Sequence, residues 1–402
     1  MVLLSAVAAA ATLHVGVGQP YATVQDAIGA AVDGDIIAID DGVYDLAGGD
    51  TVLPVSLTLR GQGASRVRLE NASLFSYDDL VVTGVTLAPD VTVRSGAALQ
   101  FSGGGLEVRD VVFDLSPTQL GMVVHHAVTL HVEGCSFRNG SLGLAGVVDG
   151  DATVMHNRFD GFHRQAVWFA GRGLAGGGAT SVVFEGNTIT HSGARAVVHE
   201  AAVELNEQTS GEPFTLTMRH NRFCGGMARG AKVGMDVGAL VVEDNLFVGN
   251  RGNVDVDGGG LVVVGDTAGS ATAQVHNNTF WGNQSGVWEA EGHSLFVGEG
   301  VVADVQNNVF GLGSAHATEV PLVWDYNATQ PYWETDTTYT ATAAQGPGGF
   351  DVPVGDPLFV SPSLDCLRAD FSLAAGSAAI DGGNSTMLDA DGSVRDVGAR
   401  PR

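Results

Sequence analysis

One short phrase recurs along the sequence, and four of its copies are nearly alike: Val154-Met-His-Asn-Arg-Phe159, Met218-Arg-His-Asn-Arg-Phe223, Val242-Glu-Asp-Asn-Leu-Phe247 and Val275-His-Asn-Asn-Thr-Phe280. Eight copies align on the residue that closes the phrase, which is Phe113, Phe137, Phe159, Ile189, Phe223, Phe247, Phe280 or Phe310. The interval between copies varies from 22 to 34 residues while the phrase itself is kept. This pattern predicts a repeat architecture in which each copy belongs to one coil and the surplus residues form loops.

The columns of the repeat indicate its secondary structure. The positions five and three residues before the shared Asn are apolar in every copy, as Leu216 and Met218 are before Asn221, and the positions between them are polar or mixed. This alternation predicts a short strand with one buried face. The Asn is expected to form a corner before a second strand, because Asn tolerates left-handed backbone conformations. Six successive copies carry it, at Asn157, Asn187, Asn221, Asn245, Asn278 and Asn308.

Identical Asn residues stacked at the strand spacing of about 4.8 Å favour a ladder of amide hydrogen bonds. The phrase, the Asn corner and the Phe column resemble the right-handed parallel β-helix of pectin and pectate lyases. The stretch that begins Tyr21-Ala-Thr-Val-Gln-Asp-Ala-Ile28 resembles the opening of such proteins. The end, with Asp356-Pro-Leu-Phe359 and Gly376-Ser-Ala-Ala-Ile-Asp381, resembles the closing segment of bacterial surface-associated β-helix proteins. The resemblance implies an all-β solenoid, and it favours no single activity because this fold hosts many functions.

Three segments are predicted along the chain. Residues 1–11 resemble the latter part of a secretory signal, and they favour a secreted or cell-surface location. Residues 12–320 are predicted to form the β-helix, which begins with a capping helix from Thr23 to Ala31 in which Thr23 is the N-cap. Residues 321–402 are predicted to form an irregular C-terminal cap and closing segment that covers the open end of the solenoid.

The second cover is expected between Pro321 and Leu373, where the repeat is interrupted. This region concentrates aromatic residues, namely Trp324, Tyr326, Tyr332, Trp333 and Tyr339. Exposed rings would stack on sugars, whereas buried rings would plug the end of the solenoid. The plug is the favoured interpretation, because an open end needs large apolar groups to cover it.

The composition restricts the partners of the 402-residue chain. Its net charge of −26 repels nucleic acid and anionic membranes. The sequence has no apolar run of the roughly 18 residues that a membrane-spanning helix needs. Cys135 occupies the corner column and is expected to be a buried thiol, and the wide spacing of Cys135, Cys224 and Cys366 does not indicate a disulfide scaffold. We expect a monomer.

One coil concentrates basic residues. Arg219, His220 and Arg222 lie within one copy of the phrase, and Lys232, the only lysine of the chain, follows closely. The resemblance to β-helix polyuronate lyases implies a basic residue that removes the proton beside the uronate carboxylate and a cation that neutralises this carboxylate. If the protein is catalytic, Arg219, His220, Arg222 and Lys232 are the residues predicted to carry the reaction.

A structural interpretation of the same coil is favoured. Outward positions alternate in charge between neighbouring coils, as in Arg109 with Glu133, and in Glu185, Arg219 and Glu243. Such residues form lateral ion pairs between coils, each worth a few tenths of a kcal/mol when exposed.

A calcium site is predicted near the C-terminus. Asp389, Asp391 and Asp396 supply hard oxygen ligands around a turn that contains Gly392. A weaker candidate is the Asp255-Val-Asp257-Gly258 stretch, and short loops of this kind are also frequent without metal.

Taken together, the residues favour an exported or surface-associated β-helix protein that interacts with a polysaccharide or cell-surface glycan and has no clear catalytic centre. The first alternative is a polysaccharide lyase or glycosidase that acts on a uronate polymer. The Arg-x-Lys element of polygalacturonase-type hydrolases is missing, because Lys232 stands in Gly230-Ala-Lys-Val233. The second alternative is a purely structural surface protein.

Overall fold

The computed structural model of the protein describes residues 10–46, 49–89, 96–171, 180–193, 201–207, 214–235, 237–252, 259–265, 271–284, 294–298, 300–312, 315–317, 323–330, 340–341, 346–352 and 356–398. Nearly all regular structure in these residues is β-strand, and the strands of the coils pair in parallel with the equivalent strands of neighbouring coils. The chain therefore forms the predicted right-handed parallel β-helix.

Each coil contributes up to three strands, and the equivalent strands of successive coils stack in parallel on three faces of the solenoid. We name them faces 1, 2 and 3, in the order in which the chain passes through them. Face 1 comprises Thr51–Leu53, Leu74–Ser76, Leu142–Val148, Val167–Gly171, Ala201–Glu207, Arg229–Gly234, Leu261–Val264, Leu295–Val297, Ala315–Ala317 and Thr340–Ala341. Two long strands, Ala97–Arg109 and Leu120–Glu133, run from face 1 into face 2.

Faces 2 and 3 flank the Asn corner. Face 2 also contains Thr12–Val15, Asp35–Ile39, Leu57–Gly61, Leu80–Thr83, Asp151–Met155, Thr180–Glu185, Phe214–Arg219, Gly238–Glu243, Ala271–His276, Val301–Gln306 and Val323–Asp325. Face 3 comprises Gly42–Asp45, Val67–Glu70, Thr86–Ala88, Val112–Asp114, Ser136–Arg138, Arg158–Asp160, Thr188–Thr190, Arg222–Cys224, Leu246–Val248, Thr279–Trp281, Val309–Gly311, Ala328–Gln330 and Phe350–Asp351. An antiparallel pair, Phe359–Ser361 with Asp370–Leu373, lies outside the solenoid sheets.

The predicted capping helix is present as Val24–Ala30. Thr23 is its N-cap, and the Thr23 hydroxyl accepts a hydrogen bond of 3.1 Å from the backbone N–H of Asp26. Val24, Ala27 and Ile28 are buried against the first coils. The helix thus covers the open edge of the solenoid with its apolar face, as the sequence predicts.

The predicted Asn ladder is confirmed. The side-chain Oδ1 of each Asn accepts hydrogen bonds from the backbone N–H and the Nδ2 of the Asn one coil earlier, for example 2.9 Å and 3.0 Å from Asn245 to Asn278. The ladder runs through all six predicted residues and continues to Asn327. A second ladder, which the sequence analysis missed, joins Asn250 to Asn283.

The corner differs in one detail from the expectation. The left-handed backbone belongs to the residue before the ladder Asn, as in His156 and His220, both with φ of 56°. The ladder Asn itself stays in an ordinary conformation, and its amide satisfies backbone groups at the point where the sheets are interrupted. The Asn at this position therefore stabilises the corner through its hydrogen bonds and not through its tolerance of positive φ.

The closing residues of the phrase form the predicted aromatic stack inside the solenoid. Consecutive rings lie parallel, with centroids 4.3 Å apart for Phe113 and Phe137 and 4.6 Å apart for Phe223 and Phe247. All members of the column are buried. Such stacking adds about 0.5–1.5 kcal/mol for each pair beyond the burial of apolar area.

The coils continue past residue 320, where the sequence predicts the cap to begin. Val323–Asp325 and Ala328–Gln330 extend faces 2 and 3, and Trp324 is buried and stacks on Phe310 with centroids 6.1 Å apart. Trp324 therefore extends the internal aromatic column, while Tyr332, Trp333 and Tyr339 lie outside the described residues.

Residues 356–398 pack against the side of the solenoid. They cover the outer surface of face 3 in the later coils, where strands such as Leu246–Val248 are buried on both sides. In the earlier coils the outward residues of face 3 are polar, as Arg158 and Asp160 are. The apolar outer surface of face 3 and the closing segment thus form a second core, which the repeat pattern does not reveal.

The expectation about the cysteines is partly wrong. Cys224, on face 3, forms a disulfide with Cys366 of the closing segment, across 142 residues of sequence. Cys135 is buried and free, as predicted, and burial raises the pKa of its thiol to about 12. Among the described helical residues no segment is long and apolar enough to cross a membrane.

Replacing Asn245 with Ala should lower the free energy of unfolding by about 1–3 kcal/mol, because the backbone N–H of Asn221 and the carbonyl of Met218 lose their buried partners. Thermal and urea denaturation measure this effect. Thr217→Ala, on the outward side of the preceding coil, is the control and should change stability little. Equal stability of Asn245→Ala and the parent protein would contradict the role of the ladder.

Candidate functional site

The basic residues singled out in the sequence lie at the corner between faces 2 and 3. Arg219 ends the face 2 strand Phe214–Arg219, His220 forms the left-handed corner, and Arg222 begins the face 3 strand Arg222–Cys224. Lys232 lies elsewhere, on the outward side of face 1 in strand Arg229–Gly234. The structure therefore brings Arg219, His220 and Arg222 together and places Lys232 on a different face of the solenoid, because the chain turns after Cys224.

Arg219 makes the lateral ion pair that the structural interpretation predicts. Its Nη2 lies 2.9 Å from Glu185 Oε2 on the preceding coil. Arg109 likewise contacts Glu133 at 3.4 Å. These half-exposed pairs contribute at most about 1 kcal/mol each. The positive charge of Arg219 is thus largely balanced by its neighbour.

Glu243, the expected second partner of Arg219, is bound by the closing segment. Arg395 Nη1 lies 2.9 Å from Glu243 Oε1, and its Nη2 lies 3.0 Å from Asp244 Oδ2. Burial raises the pKa of Asp244 to about 6, although the charge of Arg395 acts in the opposite direction. Arg395 therefore fastens the closing segment to the corner of the solenoid through two adjacent carboxylates.

Arg222 differs from Arg219 in its surroundings. Its side chain makes no ion pair with any residue in the described part of the chain. It points to the same side of the face 3 strand as Cys224, two residues further on, whose disulfide anchors the closing segment. Among the described residues, Arg222 is thus a cation without a salt-bridge partner near that attachment.

A groove of about 610 Å³ lies where the closing segment meets the turns that follow face 3. We call it the disulfide groove, because Cys224 and Cys366 lie in its wall. Its lining residues are Thr190, His191, Cys224, Gly225, Gly226, Met227, Gly249, Arg251, Gly282, Gln284, Leu364, Asp365, Cys366, Leu367 and Arg368. The sequence does not reveal this site, because its two walls are far apart in the chain.

The floor of the groove consists of tight turns in successive coils. Gly225, Gly249 and Gly282 occupy the same position of these turns with φ of 60°, 62° and 61°. A side chain at Gly282 would collide with Leu364, since a Cβ there would lie 2.4 Å from Leu364 Cδ2. Nothing lies within 4 Å of a Cβ built on Gly225. The missing side chain at Gly282 thus lets Leu364 of the closing segment approach, and the missing side chain at Gly225 leaves the floor of the groove open.

Polar groups converge on the groove between apolar side chains. Arg251 is exposed and makes no ion pair with another described residue, whereas Arg368 lies 3.5 Å from Asp365. Met227, Leu364 and Leu367 are exposed apolar residues of the same groove. The lining therefore combines apolar surface with a guanidinium that has no carboxylate partner in the described ranges.

His191 stands at one end of the groove and is held by a carboxylate. Its Nδ1 lies 3.1 Å from Asp160 Oδ1, which also accepts a hydrogen bond of 2.6 Å from Thr190. Burial acts to raise the pKa of Asp160, but the hydrogen bonds from Thr190, His191 and Arg158 outweigh it and the pKa is lowered. A His oriented by a carboxylate can accept or donate a proton.

The three carboxylates predicted to bind calcium are occupied by turn hydrogen bonds. Asp391 accepts from the N–H and hydroxyl of Ser393 at 2.9 Å and 2.7 Å, and these bonds lower the pKa of Asp391. Asp389 accepts from the N–H of Asp396 at 3.0 Å, and Asp396 accepts from the N–H of Asp381. No cluster of three or more His, Cys, Asp or Glu in the described ranges is arranged for a metal ion. Asp255 and Asp257 lie outside those ranges, and calcium binding stays a prediction.

Comparison with known proteins gives the family. The family model described as the right-handed β-helix region matches residues 97–310, and the chain belongs to this family. No curated protein matches the sequence.

Several solved structures are similar to the chain. The pectate lyase Pel9A has a TM-score of 0.48 and 17% identity, over 99% of this chain and 98% of that protein. The PL6 family alginate lyase AlyGC has a TM-score of 0.43 and 14% identity, over 85% of this chain and 53% of that protein. An alginate lyase from Paenibacillus sp. str. FPU-7 has a TM-score of 0.34 and 15% identity, over 80% of this chain and 95% of that protein.

The attachment of the closing segment should depend on pH through Asp244. Because its pKa is about 6 in the folded protein and the ordinary value is 3.8, the folded state holds this proton more tightly than the unfolded state. Its contribution to stability is complete below about pH 4 and is lost as the pH rises through about 6, on the order of 1–3 kcal/mol. Asp244→Asn should remove this decrease in the free energy of unfolding with rising pH.

The measurement is the free energy of unfolding by urea at half-unit steps from pH 4 to pH 7. Asp78→Asn, which removes an exposed carboxylate, is the matched control and should keep the slope of the parent protein. The same slope in Asp244→Asn and the parent would show that Asp244 titrates normally and would contradict the prediction.

Proposed function

We propose that this chain is an exported or surface-associated β-helix protein that binds carbohydrate in the disulfide groove. The observation that carries the proposal is the position of Arg251. Its guanidinium lines a groove of ligand size, has no salt bridge within the described residues, and lies among the apolar side chains of Met227, Leu364 and Leu367. Ligand sites are typically concave, largely apolar and furnished with a few polar groups that fix orientation.

The chemistry of the lining suits a sugar ring that carries a carboxylate. Sugars present apolar C–H surfaces and hydroxyl groups, which match the Leu and Met side chains and the amide of Gln284. A guanidinium binds a carboxylate with two parallel hydrogen bonds, a geometry that Lys cannot supply. Arg251 provides such a fork in the lining of the groove. Arg222, which has no ion pair within the described part of the chain, provides a second cation at the start of the face 3 strand Arg222–Cys224.

The overall charge of −26 opposes an acidic ligand at long range. This repulsion is screened beyond about 8 Å at physiological ionic strength, whereas contacts within the groove are shorter. Binding should therefore strengthen as salt is added up to moderate concentrations and weaken only when the direct ion pair is itself screened. A neutral sugar would show neither effect.

Export is supported by the disulfide between Cys224 and Cys366. Structural disulfides persist in oxidising compartments and are rare in the cytosol. Fractionation of the native host, followed by thiol labelling of the protein in each fraction, tests this part of the proposal. Recovery of the protein in the cytosol with all three thiols reduced would contradict it.

A polysaccharide lyase is the second candidate, and the pairing of His191 with Asp160 favours it. A His held by a carboxylate in the same groove as Arg251 could remove a proton next to a uronate carboxylate that the guanidinium neutralises. Formation of unsaturated products from uronate polymers, followed by absorbance, tests this reaction. Turnover that disappears in His191→Ala would establish the enzyme, whereas turnover that persists would place any catalysis elsewhere.

Arg251→Ala should weaken binding of a uronate oligosaccharide at least about tenfold, since a charge-assisted hydrogen bond is worth roughly 1.5–3 kcal/mol. Calorimetric titration of the parent and the variant measures the change. Arg60→Ala removes an exposed cation on a distant coil and serves as the control. Equal affinity of Arg251→Ala and the parent would exclude the groove, and no binding or turnover on any glycan would favour a purely structural protein.

A further inference from the structure

The outward side of face 1 holds a carboxylate that binds an amine and two carboxamides. Lys232 Nζ donates to Glu204 Oε1 at 3.2 Å, and Asn206 Nδ2 donates to the same oxygen at 3.1 Å. Gln165 Nε2 donates to the other oxygen, Oε2, at 2.7 Å. We call these four residues the face 1 cluster. They share no residue with the disulfide groove.

The strand register creates this arrangement. Glu204 is paired with Lys232, and Asn206 is paired with Gly234 on the next coil. Val233, which lies between Lys232 and Gly234, points into the core, so both of these neighbours face outward. A Cβ at Gly234 would lie 2.7 Å from Asn206 Oδ1. The glycine therefore leaves the space that the Asn206 carboxamide fills beside Lys232.

The cluster is partly withdrawn from water. The side chain of Glu204 is 14% exposed and that of Lys232 is 24% exposed. Val262, in register with Lys232 on the next coil, is buried although it faces outward, and Trp168 is half-buried in register with Glu204 on the coil before. The two neighbouring coils therefore shield the face 1 cluster from bulk water.

We propose that Lys232 and Asn206 join in a spontaneous isopeptide bond, with Glu204 as the proton carrier. One hydrogen-bonded oxygen bridges the nucleophile and the carboxamide, which is the arrangement that general acid–base catalysis requires. Gln165 is a positioning residue, because it holds the second oxygen of Glu204. The bond would link strand Ala201–Glu207 covalently to strand Arg229–Gly234, and so tie two neighbouring coils together.

The reaction balances without an oxidant or a second substrate. A proton passes from the Lys232 ammonium to the Glu204 carboxylate, and the neutral Nζ attacks Cγ of Asn206. The carboxyl group of Glu204 protonates the amide as the new N–C bond forms. The bond between Cγ and Nδ2 then breaks and ammonia is released. Glu204 takes the second proton from Nζ and passes it to the ammonia, which leaves as ammonium while the Glu204 carboxylate is restored. One side-chain ammonium group and one carboxamide are thus converted into a secondary amide and one ammonium ion.

Intact mass spectrometry of the reduced, denatured protein tests the proposal directly. The bonded chain should weigh about 17 Da less than its sequence, the mass of one ammonia. Amine labelling under denaturing conditions gives an independent readout, because Lys232 is the only lysine. The bonded chain should take up label at its N-terminal amine alone, and fragmentation should place the link between residues 206 and 232.

Three variants make the result specific. Glu204→Gln keeps the size and hydrogen-bonding capacity of the side chain but cannot carry the proton, so it should show the full mass and a labelled Lys232. Asn206→Ala should do the same, and Lys232→Arg should show the full mass. A parent protein that keeps its full mass and a reactive Lys232 after prolonged incubation would overturn the proposal. A deficit that persists in Lys232→Arg would also overturn it, since the ammonia would then come from cyclisation of an Asn.

Discussion

The stacking of corner Asn amides is the interaction on which the rest of this solenoid depends. At each corner the chain leaves one parallel sheet for the next, and a residue such as His220 or Asp244 adopts a left-handed backbone with φ of 56°. For residues other than Gly this conformation costs about 1–2 kcal/mol. The buried Asn that follows satisfies backbone groups of the preceding coil, as Asn187 Nδ2 does at 2.8 Å from the Val154 carbonyl. The corner thus fixes the register of the strands in faces 2 and 3, which lie on either side of it.

A fixed register determines what the outer surface can display. Side chains one coil apart lie side by side, so opposite charges such as Glu185 and Arg219 balance one another along face 2. The same geometry places Glu204 beside Lys232 on face 1. A chain with a net charge of −26 therefore has locally neutral surfaces. A cation without such a neighbour, as Arg251 is among the described residues, differs from these paired charges because no adjacent carboxylate balances it.

The closing segment adds what the repeat cannot provide. Each coil contacts only its neighbours, so the repeat by itself brings together residues that lie one coil apart. Packing of residues 356–398 on face 3 buries a second apolar core and creates the disulfide groove at its margin. The attachment uses three different interactions, namely the Cys224–Cys366 bond, the ion pairs of Arg395, and a hydrogen bond of 2.9 Å from Asn277 Nδ2 to the Asp396 carbonyl. The proposed ligand site therefore depends on a segment outside the repeat.

The sequence alone determined the coil, the Asn ladder, the Phe column and the capping helix at Val24–Ala30. These features arise from interactions between equivalent positions of adjacent coils or within one turn of helix, and such interactions leave a periodic trace. Only the tertiary structure decided that Lys232 lies on a different face from Arg219, that Glu243 binds Arg395, and that Cys224 binds Cys366. These contacts depend on where the chain turns between sheets and on the docking of a segment up to 142 residues away. Neither leaves a period in the sequence, because each occurs once.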